Sequence, residues 1–301
     1  MPVRTVSMED RKSNVFLSDF ASVPADGDVT AFLDSLPKIL QAEALKGLAR
    51  HIALGTGNQL WMIGGHVIKT GLAPLLIWLM ERGKIGCLAG NGAVAIHDWE
   101  IACWGRTSED VASGIVDGTF GMTRETGQDM NKAIRLGAED GLGMGEALGR
   151  ALEERNLEGG HASLLLAARR FGIPFTIHPA IGCEVIHQHP EADGRAIGSC
   201  GMADFRKLAG WMPALQGGTV LNLGSAVIMP EVFLKALTVA RNLNQGAPRG
   251  FLAADFDMVK HYRPWVNVCQ RPTDYGKHFT GHHEIMIPLL VWAIARYGNL
   301  T

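Results

Sequence analysis

Short runs of four or five apolar residues alternate along this chain with longer stretches in which apolar positions recur every three or four residues. The short runs predict buried strands and the longer period predicts amphipathic helices. Leu33, Leu36, Ile39, Leu40 and Leu45 place a helical pattern over 29–54, interrupted by Pro37. A strand ending at Met62-Ile63 leads into a predicted helix over 70–82, with Thr70 as N-cap and Pro74 in the first turn. A strand over 84–88 and a helix over 94–104 follow. Residues 108–168 read as mostly helical, with glycines at 137, 141, 143, 145 and 149 blurring the boundaries. Strands over 173–177, 219–223 and 251–254 then alternate with helices over 204–215 and 230–244, and a helix over 284–297 closes the chain. This alternation predicts an α/β fold: a doubly wound, mostly parallel sheet with helices on both faces. Charge, Ser and Pro mix over the first residues, so 1–25 reads as an irregular arm, ordered against a neighbouring subunit. Residues 26–301 read as a single α/β nucleotide-binding domain, without repeat or linker.

Three predicted strands break into glycine and polar residues just before a helix: Ile63-Gly64-Gly65-His66, Gly90-Asn91-Gly92-Ala93 and Leu223-Gly224-Ser225-Ala226. Open α/β sheets bind ligands beyond the carboxyl ends of their strands. Glycine there admits a ligand to the backbone, and a helix N-terminus offers unpaired N–H groups to anions. Three such turns point to a nucleotide-type pocket, although the full GxGxxG fingerprint is absent and Gly90-Asn91-Gly92 supplies half of it. Further polar clusters fall at strand ends: His97-Asp98, Glu184 with His187-Gln188-His189, Asp255-Phe256-Asp257, and Thr280-Gly281-His282-His283-Glu284.

Charge narrows the partners. Lys plus Arg (28) nearly balance Asp plus Glu (30), so no basic face speaks for nucleic acid or an anionic membrane. The longest dense apolar run, 72–80, is too short to span a bilayer, and the amino end lacks a signal-peptide core. A cytoplasmic protein is the expectation. Five cysteines with no CxxC spacing fit free thiols, with Cys183 or Cys200 as an alternative catalytic thiol. His187 with His189, and His282 with Glu284, share an i, i+2 spacing that could complete a metal sphere for a metal-dependent hydrolase. The helical HExxH spacing is missing, and Gly224-Ser225-Ala226 is no GxSxG nucleophile turn.

The run Gly65-His66-Val67-Ile68-Lys69-Thr70-Gly71-Leu72, with residues 85–98, resembles the NAD-binding front half of deoxyhypusine synthases. The resemblance continues through Ile173-Pro174-Phe175, 218–226, Phe251-Leu252-Ala253-Ala254-Asp255, and His282-His283-Glu284-Ile285-Met286-Ile287-Pro288-Leu289-Leu290, covering roughly 35–298 in outline. It implies a Rossmann-type fold, NAD at the strand ends near a subunit interface, and a homotetramer. Cofactor contacts carried over by position are Gly65, His66, Asn91, Gly92, Ala93, Gly224, Ser225, Ala253, Ala254 and Asp255, with His282 completing the set. The family's imine-forming lysine, in a Trp-Gly-Lys context, has no counterpart over 266–270; Lys277 follows later, and His97 replaces one acidic residue of the NAD turn.

The expected function is therefore not deoxyhypusine synthesis. It is NAD-dependent transient hydride transfer on a small amine or alcohol, with the cofactor carrying the hard chemistry. His97 or His282 would be the general base, and Asp98, Glu184 or Glu284 would orient it or pair with a cationic substrate. Lys277, if it reached the pocket, would allow Schiff-base chemistry. The alternatives are the metal-dependent hydrolase above and a non-catalytic nucleotide-binding protein.

Overall fold

In the computed structural model, which describes residues 3–20, 33, 36, 38, 40–155 and 157–300, the first elements are strand β1 (Ser13–Phe16) and helix α1 (Leu40–Leu54). Next come β2 (Gln59–Ile63), α2 (Gly65–Lys69), α3 (Ala73–Glu81), β3 (Cys87–Asn91), α4 (Gly92–Trp104) and β4 (Arg106–Glu109). Helices α5 (Val111–Asp117), α6 (Arg124–Glu139), α7 (Met144–Glu153) and α8 (Leu164–Arg170) precede β5 (Phe175–His178) and α9 (Gly194–Trp211). The last third runs through β6 (Thr219–Leu223), α10 (Ile228–Leu243), β7 (Leu252–Asp257), a π-helix (Trp265–Gln270), β8 (Gly276–Thr280) and α11 (His283–Gly298).

The central sheet has the order β5–β3–β2–β6–β7–β8, and every neighbouring pair is parallel. The chain enters at β2, works outward through β3 to β5, then returns to lay β6 against the other side of β2. That reversal makes a topological switch point between β2 and β6, with the two halves wound away from it. All five residues of β2 are buried, as expected of a strand covered on both faces. Trp61 and Ile63 join a large core under α1, α3, α4 and α11, while Leu60 and Met62 join a second core under α10 and the end of α9.

Helix α4 packs at the centre. It buries residues around most of its circumference, as a helix with no solvent face must. Asn91 starts it by accepting from the Val94 N–H at 3.2 Å, and Gly105 ends it in the left-handed conformation.

Several elements differ from the sequence expectation. Thr70 ends α2, its hydroxyl donating to the His66 carbonyl at 2.9 Å, and Leu72 takes the N-cap position of α3. Residues 3–20 are not an irregular arm: β1 pairs antiparallel with β4, and the Val6 N–H donates to the Met122 carbonyl at 2.7 Å. Residues 21–25 lie outside the described residues, as does most of the helical pattern before Leu40. Strand β8 was not anticipated. No helix among the described residues is long and apolar enough to cross a membrane.

Candidate functional site

At the switch point the turns after β2 and β6 touch. A Cβ on Gly64 would strike the Gly224 carbonyl oxygen, and one on Gly224 would lie 2.9 Å from the His283 ring. Gly65 is crowded in the same way by Ala93 and His97, at 3.0 and 3.1 Å from its ideal Cβ. Three histidines therefore gather at this crevice: His66, His97 and His283. The His66 and His283 rings meet edge to face with centroids 5.3 Å apart. Burial lowers the His66 pKa, and His283 and Lys69 beside it lower it further.

The partners fix the tautomers. His283 Nε2 is 3.0 Å from the Phe256 carbonyl, which only accepts, so Nε2 carries a proton and in the neutral ring Nδ1 is a bare lone pair. That Nδ1 is buried with no partner among the described residues. His97 Nδ1 is 2.7 Å from Thr107 Oγ1, and the Thr107 hydroxyl donates to Glu100 Oε2 at 2.5 Å. Having spent its only proton there, Thr107 accepts from His97, which leaves Nε2 as the bare nitrogen. Glu100 in turn accepts from Thr126 at 2.9 Å and from Arg11 at 2.6 and 3.0 Å. Burial pushes the His97 pKa down to about 4, so the ring is neutral at physiological pH and acts there as a hydrogen-bond acceptor.

A second polar group lies on the other half of the sheet. Register places Asn222, Asp255 and His278 side by side on β6, β7 and β8. Asp255, fully buried, accepts from Asn222 Nδ2 at 2.8 Å and lies 2.6 Å from His278 Nδ1. His278 Nε2 is 3.0 Å from Thr280 Oγ1, and Asn222 Oδ1 is buried without a partner among the described residues.

The other anticipated residues divide. Glu184 reaches the crevice, but its carboxylate fills the space beside Gly92, where a Cβ would strike it. It accepts the Gly92 and Ala180 N–H groups, the latter at 2.8 Å, and burial raises its pKa. Oε2 lies 3.2 Å from His187 Nδ1 and has no hydrogen-bond partner among the described residues. Asn91 spends its side chain on the α4 cap. Asp98 faces away, accepting from Ser163 Oγ at 2.6 Å and from the Leu164 and Leu165 N–H groups at 2.7 and 3.1 Å, so it caps α8. Ala253 and Ala254 lie in the two cores below the strand end, because β7 continues to Asp257.

His282 and Glu284 are exposed, 3.7 Å apart. Lys277 is exposed on the face of β8 opposite His278. His189 donates to or accepts nothing in common with His187; its Nε2 meets the Gly121 carbonyl at 2.8 Å. The metal cluster expected of the hydrolase alternative is not assembled: among the described residues no three His, Cys, Asp or Glu groups could hold an ion. The five thiols are free, and burial holds Cys200 up at about 11, far from a thiolate. Sequence reasoning passed over His283, although it was adjacent to the chosen His282, and did not single out His278. The one available signal for His278 was its alternation with Thr280 two residues on.

No family model matches the chain, and no curated protein matches it. Among solved structures, AgrE in a ternary complex with ornithine and NAD+ aligns over 87% of this chain at 16% identity and TM-score 0.52. The alignment covers 35% of AgrE, so this chain spans about a third of that protein's length. A putative LOR/SDH protein from Methanococcus maripaludis S2 aligns over 91% of this chain and 74% of its own, at 18% identity and TM-score 0.51. A putative deoxyhypusine synthase from Entamoeba histolytica aligns over 89% of each chain, at 11% identity and TM-score 0.49, too slight a likeness to weigh. The fold is Rossmann-like. At these identities the comparisons speak to architecture alone.

Proposed function

We propose that this chain is an NAD-dependent enzyme that moves a hydride on a small amine or alcohol, with the dinucleotide lying across the β2–β6 crevice. One observation carries the reading. The strand order brings two half-sheets together where two glycine turns touch, and bare nitrogens of His97 and His283 are left beside them. That AgrE was solved with ornithine and NAD+ supports both the cofactor and an amine substrate.

The residues present fit a dinucleotide. The missing Cβ atoms of Gly64 and Gly224 let the two turns pack against each other and against the His283 ring, and a diphosphate would lie beyond them at the strand ends, with His66 alongside. Ser225 Oγ accepts from the Met229 N–H at 3.2 Å and keeps its own proton for a phosphate oxygen. Glu184, with a buried and unpartnered Oε2 next to Asn91, Gly92 and Ala93, would accept from ribose hydroxyls. His283 Nδ1 and His97 Nε2 would accept from N–H or O–H groups of the bound molecules. NAD would supply the hydride acceptor and donor. Glu284 and His282, exposed at the end of β8, would meet a cationic substrate on its way in. No lysine lies over 266–270, and Lys277 is exposed on the face of β8 opposite His278, so the proposed reaction is written without an enzyme-bound imine at those positions.

A homo-oligomer accompanies the proposal, with the homotetramer as its specific form. Val227, Met258, Val259, Tyr262 and Ile285 are exposed in the segments that follow β6, β7 and β8, and a second copy would cover them. Native mass spectrometry with and without NAD tests both parts. The expected spectrum is a tetramer gaining one dinucleotide per chain; a metal adduct with no dinucleotide uptake would refute the reading.

A further inference from the structure

The Asp255–His278 pair is not among the dinucleotide contacts proposed above, although Asn222 ties Asp255 to the Ser225 carbonyl. Asp255 has both oxygens engaged, one by Asn222 and one by His278, and it is fully buried. A carboxylate only accepts, so His278 Nδ1 must carry the proton. In the neutral ring Nε2 is then a lone pair, 3.0 Å from Thr280 Oγ1 and placed to accept its hydroxyl. This chain of contacts ends on an exposed hydroxyl at the carboxyl end of the sheet, in the half that follows the switch point. Acid, imidazole and hydroxyl thus stand in the order used to move a proton.

We propose that Asp255, His278 and Thr280 form the proton relay of the hydride-transfer reaction, with Thr280 meeting the substrate. The proposal rests on the NAD-dependent reading above. When a substrate carbon bearing O–H or N–H gives up its hydride, the electron pair of the C–H bond leaves with it to NAD, and the heteroatom's proton must also depart. That proton passes to Thr280 Oγ1 as the Thr280 proton passes to His278 Nε2. The electron pair of the broken O–H or N–H bond becomes the second bond of the carbonyl or imine. Asp255 balances the imidazolium so formed. His278 and Asp255 are positioning residues in this scheme, and Thr280 is the catalytic residue.

Nitrogen-15 NMR of the His278 ring in the full chain tests the relay without needing a substrate. The expected result is a protonated Nδ1, a bare Nε2, and an Nε2 resonance that moves both on Thr280→Val and on saturation with NAD. Turnover supplies the second readout, with NAD and L-ornithine or the best member of an amine and alcohol panel. Thr280→Val should lower kcat by about 10²-fold, Thr280→Ser should restore it to within a few-fold, and NAD affinity should hold in both. A protonated Nε2, or a resonance indifferent to both Thr280→Val and NAD, overturns the relay. Failure of the wild-type chain to bind NAD overturns the dinucleotide reading and the relay with it, whereas a protonated Nε2 in a chain that does bind NAD overturns the relay alone.

Discussion

A histidine in this chain takes its chemistry from what each ring nitrogen meets. His97 and His178 are both pushed down to about 4 by burial, so the folded ring stays neutral where an unfolded one would protonate. Between pH 6.5 and 4 the unfolded chain binds the extra protons, and the stability each ring contributes is lost as pH falls through that window. Asp98 and Asp204, raised to about 6 by burial, act in the opposite sense over much of the same range and flatten the total. A difference measurement separates the two. The advantage of wild type over His178→Phe should shrink by up to about 3 kcal/mol between pH 7 and pH 4 in urea unfolding. A gap that does not change with pH would show that His178 already takes a proton in the folded state. Residue by residue, the site was only partly legible in the sequence. His282 and His283 look equivalent there, but successive positions at a helix start turn by about 100°, so one ring enters the core and the other faces solvent. Asp98 and His97 diverge for the same reason on α4.

Among the elements, strands with continuous apolar runs were the readable ones, and β6 lies over 219–223 as the sequence predicts. β8 escaped because Gly-Lys-His-Phe-Thr is an edge strand whose alternation is mostly polar. β1 and β4 escaped because their pairing depends on contacts ninety or more residues apart in sequence. The Arg11–Glu100 ion pair helps hold that region together: both side chains are buried, and Glu100 holds Thr107 and Thr126. Arg11→Met should therefore cost about 3–5 kcal/mol, because it leaves a buried carboxylate supported by two hydroxyls. Adding Glu100→Gln should recover about 1 kcal/mol or more, since the orphaned charge is gone. Denaturant titration of both variants checks this. A single variant within 1 kcal/mol of wild type would mean the pair carries no weight in the fold.

For the whole molecule, the decisive fact is the order of strands, and hydropathy does not contain it. Glycine turns after three strands suggested a nucleotide pocket, but they did not say that two of those turns touch while the third is filled by Glu184. That arrangement arises from the return of the chain through α9 to lay β6 beside β2. It also makes the crevice testable as a unit. Gly224 and Gly83 both have positive φ, 67° and 66°, so an alanine at either meets a similar backbone cost of about 1–2 kcal/mol. They differ in surroundings. A Cβ at Gly83 meets nothing within 4 Å, whereas one at Gly224 lies 2.9 Å from the His283 ring. Gly224→Ala must displace that ring and break its bond to the Phe256 carbonyl, removing the acceptor from the crevice. NADH titration by fluorescence should then show affinity weakened about tenfold or more in Gly224→Ala and unchanged in Gly83→Ala, with comparable backbone destabilisation in both. Equal affinities would separate NADH from the switch point and move the search for its site to another part of the sheet edge.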